Sequence, residues 1–398
     1  MDALMLPLNW QRVRLGDIAE IIGGGTPSTQ ITSFWNGSIN WFTPTEIGIT
    51  KYVYKSQRTI TPLGLKKSSA KLLPIGTILL TSRASIGDCA ILKVVATTNQ
   101  GFQSLIPLEK INNEFLYYLM LTLKNKLLKL ASGSTFLEVS PNKIKNLLIP
   151  LPPLNEQIAI ANILSDVDRY LYSLDALILK KESVKKALSF ELLSQRKRLK
   201  GFNQAWQRVR LGDIAEIIGG GTPSTQITSF WNGSINWFTP TEIGITKYVY
   251  KSQRTITPLG LKKSSAKLLP IGTILLTSRA SIGDCAILKV VATTNQGFQS
   301  LIPLEKINNE FLYYLMLTLK NKLLKLASGS TFLEVSPNKI KNLLIPLPPL
   351  NEQIAIANIL SDVDNEITSL KNKKSQFENI KKALNHDLMS AKIRVLKK

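Results

Sequence analysis

Few side chains in this sequence could carry out catalysis, and their spacing argues against it. His386 is the only histidine, so a general base of that type is absent from most of the sequence. With Cys89 and Cys285 it gives three possible zinc ligands in separate segments, too few for a four-ligand site. The carboxylates are scattered among cations rather than clustered for a metal. We therefore predict no catalytic residue, metal or cofactor in this chain.

Two further motifs lack residues that their chemistry requires. The glycine run Gly23–Gly25 is followed neither by a Lys-Ser or Lys-Thr pair nor by a third glycine in G-x-G-x-x-G spacing, so we interpret it as a flexible turn. The pair Pro152-Pro153 lies between leucines, whereas an amino-methyltransferase loop requires Asp or Asn before it and an aromatic ring after it. An autonomous nuclease or methyltransferase with unrecognised residues is the competing hypothesis.

The charge balance favours a polyanionic partner. Lys and Arg number 50 against 27 Asp and Glu, a formal net charge of +23, which is typical of nucleic-acid-binding proteins. An anionic membrane surface and solubility alone are the alternatives. No run approaches the ~18 apolar residues of a membrane span, and the N-terminal segment lacks the features of a signal peptide. We expect a cytoplasmic protein whose two cysteines are small buried side chains.

An internal repeat organises the chain. Residues 10–168 coincide with residues 206–364 without a mismatch, and divergence begins at Arg169 and Asn365. A period of this length indicates a whole domain rather than a solenoid unit. We predict a globular domain over residues 1–153, a helix over 154–204, a second globular domain over 205–349 and a C-terminal helix over 350–398.

Within each copy the pattern predicts strands first and helices last, an α+β class. Apolar runs predict a strand before the glycine run, a hairpin bearing Gly76 and Gly87, and a strand over 102–108. Helical spacing predicts one helix over 112–131, which Gly133 stops. Prolines then impose an extended segment before a long helix begins near Asn155.

The long helix of each copy carries an apolar stripe at helical spacing, which must bury itself on another helix. The predicted packing residues are Ile160, Ile163, Val167, Leu171, Leu174, Leu177, Val184, Leu188, Ile356, Ile359, Val363, Ile367, Leu370, Phe377, Ile380 and Leu384. The stripe persists beyond the identical repeat, so it indicates a structural requirement. We predict an antiparallel, coiled-coil-like pair with pseudo-two-fold symmetry, each helix about 44 residues and roughly 65 Å long, separating two globular domains. The alternative is that each helix packs only on its own domain.

Polar and basic loops of each copy form the candidate DNA-binding surface. Hydroxyls and amides suit phosphate oxygens and base edges, lysines suit phosphates, and Arg83 suits guanine. The predicted residues in the first copy are Thr26, Ser28, Gln30, Asn36, Arg58, Lys66, Lys67, Lys71, Ser82, Arg83, Ser85, Asn99 and Ser134. Those in the second copy are Thr222, Ser224, Gln226, Asn232, Arg254, Lys262, Lys263, Lys267, Ser278, Arg279, Ser281, Asn295 and Ser330. The alternatives are a solvated face for the lysines and core positions for Trp35 and Trp41.

The order of these motifs resembles a known family, the type I restriction-modification specificity subunits. The resemblance is carried by the words WQRVRLGDIAEIIGGGTPS, GSINWFTPTEI, LKKSSAKLLPIGTILLTSRASIGDCAI, TTNQGFQSL, NEFLYYLM and IPLPPLNEQIAIANILSDVD, and it covers nearly the whole chain. It implies two target-recognition domains separated by conserved helices and bound to double-stranded DNA. The implied partners are two methyltransferase subunits, which use S-adenosylmethionine to methylate adenine N6, and restriction subunits that use ATP and Mg²⁺. It implies no membrane partner.

One departure from the family pattern matters, because specificity subunits normally carry two different recognition domains. Identical domains related by a two-fold axis would read the same word on opposite strands, which makes the expected target an interrupted palindrome. We expect half-sites of about three to four base pairs with centres on the order of one to two helical turns apart. A nonspecific nucleic-acid scaffold is the weaker alternative.

Overall fold

The computed structural model describes residues 6–133, 137–329 and 333–395. The chain forms two compact units, Met1–Asp175 with Asn372–Lys398, and Ala176–Lys371. Each unit holds one copy of the repeat together with a part of each long helix. Over the described residues, no helix is both long and apolar enough to cross a membrane.

Over its described residues, the first copy contains ten strands with short helices between them and one long helix after the last strand. The strands are β1 Gln11–Arg14, β2 Ala19–Gly23, β3 Trp35–Phe42, β4 Tyr52–Val53, β5 Arg58–Ile60, β6 Ile78–Leu80, β7 Cys89–Leu92, β8 Ala96–Thr98, β9 Gln103–Pro107 and β10 Leu148–Leu151. The helices are α1 Pro62–Lys66, α2 Asn113–Thr122, α3 Lys124–Leu130, α4 Pro141–Lys145 and the long α5 Leu154–Leu193.

The second copy repeats these elements in the same order. Its strands are β11 Gln207–Arg210, β12 Ala215–Gly219, β13 Trp231–Phe238, β14 Tyr248–Val249, β15 Arg254–Ile256, β16 Ile274–Leu276, β17 Cys285–Leu288, β18 Ala292–Thr294, β19 Gln299–Pro303 and β20 Leu344–Leu347. Its helices are α6 Pro258–Lys262, α7 Asn309–Thr318, α8 Lys320–Leu326, α9 Pro337–Lys341 and the long α10 Leu350–Met389.

Three sheets build each copy. In the first copy a five-stranded sheet has the order β2-β9-β6-β7-β4, a three-stranded sheet has the order β5-β3-β8, and β1 pairs with β10. The β6–β7 hairpin confirms the sequence prediction. Its side chains alternate: Ile78 and Leu80 enter the large core that includes α2, while Leu79 packs on the opposite face with Phe42 and Phe102. The predicted α+β class is confirmed.

The helix predicted over 112–131 is two helices. The amide of Leu123 donates to the carbonyl of Met120 at 3.0 Å, which tightens the turn and ends α2. The chain then starts α3, which buries Leu127 in the core. That helix ends at Leu130 because Ala131 adopts an extended conformation, so Gly133 is not what stops it.

Each unit pairs the start of one long helix with the end of the other in antiparallel fashion. In the first unit Asp175 pairs with Lys374 at 2.6 Å, and Asp168 pairs with Lys381. The order of partners reverses along the two segments, so the helices run in opposite directions. The equivalent contacts in the second unit are Lys181 with Glu366 at 2.8 Å and Lys185 with Asp364 at 2.5 Å. The predicted antiparallel packing is confirmed within each unit, and both helices are 40 residues long.

The seam between the helices, here called the helix seam, follows spacings of four and three. Its members on the apolar part of each helix are Ile160, Leu164, Val167, Leu171, Leu174, Ile178, Ile356, Leu360, Val363, Ile367 and Leu370, all buried or half-buried. Ile163, Leu188, Ile359, Phe377 and Leu384 are half-buried. In the first unit the aromatic rings of Tyr170 and Phe377 pack with centroids 4.7 Å apart. Ile160 and Leu164 also enter the core of their own domain, so the alternative packing is present as well.

The prediction of helix packing is wrong for three residues. Leu177, Val184 and Ile380 are 37%, 41% and 51% exposed. Beyond the apolar part, four lysines continue the four-three spacing, and they are Lys181, Lys185, Lys374 and Lys381. Their aliphatic stems are half-buried while their amines reach acidic residues of the facing helix. Because these seam positions are lysines, the apolar pattern alone assigns the seam to neighbouring apolar residues that face solvent.

A polar network joins the first domain to the helix seam. Lys51 pairs with Glu114 and donates to Tyr118 Oη at 2.9 Å and to Ser165 Oγ at 2.8 Å. The Tyr118 hydroxyl donates to Asp168 at 2.5 Å. Burial, followed by that hydrogen bond, raises the pKa of Tyr118, while burial lowers the pKa of Lys51. Both groups are therefore held in place by the domain and the helix together.

Candidate nucleic-acid interface

The glycine run of each copy lies between two turns of the same domain. The amide of Gly25 donates to the carbonyl of Thr98 at 2.8 Å, and that of Gly24 to Phe102 at 3.4 Å. A Cβ on Gly24 would overlap the carbonyl of Asn99, and one on Gly25 would overlap the backbone at Ala70. The prediction of a flexible turn is therefore wrong: the glycines permit close backbone packing.

Two buried tryptophans support this loop from inside the domain. Trp35 Nε1 donates to the carbonyl of Ser28 at 3.0 Å, and Trp41 Nε1 donates to that of Gly25 at 2.8 Å. Their rings meet edge to face with centroids 5.0 Å apart. The tryptophans are core anchors, as one of the two sequence interpretations held. They fix the backbone whose outer side chains include Ser28.

The Ser-Arg turn between β6 and β7 attaches to the same place. The amide and the hydroxyl of Ser82 donate to the carbonyl of Gly101 at 2.8 and 3.1 Å. Ser82 is 1% exposed, as is Ser278 in the second copy, so the prediction that these side chains contact DNA is wrong. The hydroxyls of both serines are used inside the domain.

Arg83 follows Ser82 and is exposed. Its Nε lies 3.1 Å from a carboxylate oxygen of Glu138, and Arg279 has the same contact with Glu334 at 3.1 Å. The shortest distance in this ion pair joins Nε to the carboxylate. Ser85, at the end of the turn, is exposed with a positive φ of 53°. The turn thus presents an exposed arginine with a carboxylate beside its Nε.

The lysines lie beside the glycine run on the surface. Lys66 and Lys67 end α1, Lys71 follows shortly after, and all three are exposed, as are their equivalents Lys262, Lys263 and Lys267. The intervening Ala70 is the residue that packs against Gly25. These cations therefore border the loop that carries the polar candidates.

Arg58 is exposed but not free of the domain. Its guanidinium carbon lies 3.8 Å from the ring centroid of Trp35, and that of Arg254 lies 3.7 Å from Trp231. This cation–π contact holds each guanidinium charge against the tryptophan that supports the loop.

The remaining polar candidates are placed as follows. Ser28, Gln30 and Asn36 are exposed and Thr26 is half-buried, with the same placement for Ser224, Gln226, Asn232 and Thr222 in the second copy. Ser281 is exposed like Ser85. Asn99 and Asn295 are half-buried, and their side-chain oxygens accept from the amides of Gly101 and Gly297 at 2.9 Å. Ser134 and Ser330 lie outside the described residues.

Sequence reasoning left two residues out of the predicted site. Gln100 is exposed and accepts a hydrogen bond from the Thr26 hydroxyl, and Glu138 pairs with Arg83. Gln100 directly follows Asn99, which the sequence does predict as a contact. Nothing in the pattern marks Glu138, because it lies beside the Ser-Arg turn through a tertiary contact, in which the amide of Val139 donates to the carbonyl of Ser82 at 2.9 Å.

Groups able to do covalent chemistry are buried or dispersed over the described part of the chain. No cluster of three His, Cys, Asp or Glu side chains suited to a metal occurs among those residues. Burial raises the pKa of the Cys89 thiol and raises that of Cys285 to about 12. A thiol with such a pKa is a poor nucleophile at neutral pH. What the surface offers is a rigid array of hydrogen-bonding groups edged by cations.

A duplicated strand-rich domain with a rigid polar and basic loop surface, packed on a pair of long helices, defines a class of recognition protein. The chain matches the family model described as type I restriction modification DNA specificity domain over residues 7–181 and again over 203–379. It belongs to that family.

Its relatives include the type I restriction enzyme MjaIX specificity subunit of Methanocaldococcus jannaschii. That protein is 30% identical over 375 residues, covering 88% of this chain and 86% of the relative. The EcoR124I/EcoR124II specificity subunit of Escherichia coli is 36% identical over 167 residues, covering 40% of this chain and 41% of the relative.

Solved structures show the same fold. The HsdS subunit from Thermoanaerobacter tengcongensis superimposes with a TM-score of 0.56 at 20% identity, over 99% of this chain and all of that chain. A chain from a structural study of complex assembly and conformational transition of the type I R-M system gives a TM-score of 0.65 at 20% identity, over 96% of this chain and 98% of that one.

Proposed function

We propose that the chain is the DNA-reading subunit of a type I restriction-modification complex, in which each copy binds one half of an interrupted site. The observation that carries the proposal is the rigid loop surface, repeated without a substitution in a member of the DNA specificity family. Fixed hydroxyl, amide and guanidinium groups suit base edges, and the bordering lysines suit phosphates. We expect the chain to act in the cytoplasm, where its DNA is.

Arg83 and Arg279 are the proposed guanine contacts. A guanidinium can donate two hydrogen bonds to O6 and N7 of guanine, the commonest specific contact in the major groove. Glu138 and Glu334 lie 3.1 Å from Nε of each arginine, and we propose that this ion pair biases the arginine toward the orientation that contacts guanine.

The proposed target is an interrupted palindrome. Identical surfaces read identical words, so the two half-sites carry the same sequence. The long helices also use equivalent residues reciprocally, since Asp168 pairs with Lys381 in the first unit and Asp364 pairs with Lys185 in the second. Reciprocal contacts of this kind favour words on opposite strands over a direct repeat.

The chemistry is proposed to belong to partner subunits. Two methyltransferase subunits would bring S-adenosylmethionine, and restriction subunits would bring ATP and Mg²⁺, while this chain supplies recognition and a scaffold. Support comes from the relatives, which are specificity subunits of type I restriction enzymes. The dispersed carboxylates and buried thiols of the described residues agree with a role in binding.

The test is to co-express the chain with its methyltransferase partner and to map N6-methyladenine across a genome by single-molecule sequencing. A methylated interrupted palindrome is the expected result. Directly repeated or unlike half-sites would contradict the palindrome, and methylation no higher than in cells lacking the chain would contradict the recognition role.

Two measurements separate the competing functions. Purified chain that binds S-adenosylmethionine or cuts DNA without partners would identify an autonomous enzyme. Binding of equal affinity to any duplex would identify a nonspecific scaffold.

A further inference from the structure

We propose that Gln100 and Gln296 read one base of each half-site, with Thr26 and Thr222 as the residues that position them. This inference rests on the proposed function and names a contact within it. In each copy the threonine hydroxyl donates to the side-chain oxygen of the glutamine, and the glutamine is exposed. The same geometry occurs twice because the two copies are identical in sequence.

The backbone beneath Gln100 is fixed on both sides. On one side the Asn99 side chain accepts from the amide of Gly101 at 2.9 Å. On the other side the carbonyl of Gly101 accepts from the amide of Ser82 at 2.8 Å. A Cβ on Gly101 would press on the ring of Pro44, so the turn is also packed closely. The apex of the turn therefore has one well-defined position.

The side chain above this backbone is held by one hydrogen bond, from the Thr26 hydroxyl. Ordering an exposed glutamine costs rotamer entropy, and a hydrogen bond between exposed neutral groups returns little net stability. Such an arrangement contributes little to folding. Its physical consequence is preorganisation, which lowers the entropy lost when a ligand binds that side chain.

The neighbours of Gln100 identify the ligand as a base edge. The amide of Ser82 donates a hydrogen bond to the carbonyl of Gly101. Arg83 and Gln100 are therefore exposed residues of two adjoining turns. Arg83 is the proposed guanine contact, so the glutamine is placed to meet a base within the same half-site. The lysines that border the glycine run supply the phosphate contacts from the side.

The hydrogen bond from Thr26 also determines which chemistry the amide offers. With its oxygen engaged by the hydroxyl, Gln100 presents the Nε2 donors. Donors pair in the major groove with N7 or O6 of guanine, N7 of adenine or O4 of thymine. The major-groove edge of cytosine carries only a donor at N4. Because both amide donors remain available while one lone pair of the oxygen is used, we expect Gln100 to prefer a base other than cytosine on its strand.

The decisive variant is Gln100→Glu with Gln296→Glu, in the complex with the methyltransferase subunits. Glutamate keeps the shape and can still accept from Thr26, but it replaces the outward donors with an acceptor that suits cytosine N4. We expect one position of each half-site to shift toward cytosine by about ten- to a hundredfold, the range of one base contact. An unchanged motif with intact assembly would overturn the inference.

The single variant Gln100→Glu is the internal control. Only one half-site should change, giving an asymmetric motif whose other half keeps the original word. If the unaltered chain directs no methylation, the proposed function has failed. If it directs a motif that neither glutamate variant alters, only the assignment of Gln100 and Gln296 has failed.

The positioning role has its own test in Thr26→Val with Thr222→Val. Loss of the hydroxyls should relax the same base position that the glutamine variants alter, and Thr26→Ser with Thr222→Ser should restore it. Relaxation at a different position would overturn the positioning role and make Thr26 a separate contact.

Discussion

Arg83 combines two features that a surface arginine rarely has together. It follows a buried serine that fixes the backbone, and it carries a carboxylate on Nε. The cation is exposed and paired in the chain alone. An exposed ion pair of this kind adds little to folding stability, so its main effect is on orientation.

Replacing Arg83 and Arg279 by alanine should abolish discrimination at one position of each half-site, at a cost of about 1–3 kcal/mol per contact. The matched lysine variants keep the charge but not the bidentate geometry, so they should recover phosphate attraction without recovering discrimination. Methylation mapping with each pair of variants checks this, together with chromatography of the assembled complex. A motif unaltered by the alanine pair would refute the guanine contact.

At this scale the sequence indicates residue types but not their exposure. Arg83, Lys66 and Lys67 are exposed, as expected for cations, which are costly to bury, while their contact with DNA stays a prediction. Ser82 was misplaced because its burial depends on the turn at Gly101, which lies 19 residues away in sequence. The local sequence pattern does not indicate the contact between Ser82 and Gly101.

At the scale of elements, the apolar pattern of the long helices predicts their packing but not the residues of the helix seam. The prolines before Leu154 and the apolar spacing were enough to predict both helices and their antiparallel packing. The register was not predictable from apolar residues alone, since Lys181, Lys185, Lys374 and Lys381 occupy seam positions. Acidic residues of the facing helix pair with these lysines, and those pairs depend on the tertiary structure.

The corrected register predicts unequal effects for two leucines of the second unit. Leu360 is fully buried, so Leu360→Ala should lower the free energy of unfolding by about 2–5 kcal/mol. Leu177 is 37% exposed, so Leu177→Ala should cost less than about 1 kcal/mol. Urea unfolding followed by circular dichroism distinguishes the two, and equal losses would contradict the register.

A second prediction at this scale concerns the ion pair between Arg394, which follows α10, and Glu156 at the start of α5. Arg394 contacts the buried carboxylate of Glu156 at 2.8 Å, which also accepts from Trp10 at 3.1 Å. Arg394→Ala removes the cation and leaves that carboxylate short of partners, at a cost of about 1–3 kcal/mol. Thermal unfolding of the variant measures the loss.

Arg198 makes the equivalent contact with Glu352 at 2.7 Å in the second unit, so Arg198→Ala should cost a similar amount. Lys392→Ala serves as the control, since Lys392 lies near Arg394 but pairs with Asp387 at 3.7 Å. Similar stability in the control and in Arg394→Ala would contradict a specific role for the arginine.

At the scale of the whole molecule, the two copies are closed by equivalent contacts. Arg198 and Arg394 lie outside the identical repeat, yet both close their own unit by the same kind of contact. The surrounding helical sequence differs while this contact is kept, so each unit is closed in the same manner.

Equal copies should contribute equally to the salt dependence of DNA binding. The alanine variant of Lys66, Lys67 and Lys71 should reduce the slope of log affinity against log salt by about 0.9 for each lysine that contacts a phosphate. The alanine variant of Lys262, Lys263 and Lys267 should reduce it by the same amount, and the two reductions should add. Fluorescence anisotropy of the methyltransferase complex on its methylated motif measures all three slopes.

The matched control replaces three exposed helix lysines, Lys180, Lys186 and Lys382, by alanine. This change removes the same formal charge as either loop variant, so it separates phosphate contact from overall attraction between a basic protein and DNA. A slope that falls as far in the control as in the loop variants would show that the loops make no phosphate contact. Unequal slopes for the two loop variants would show that the copies bind their half-sites differently, which an interrupted palindrome forbids.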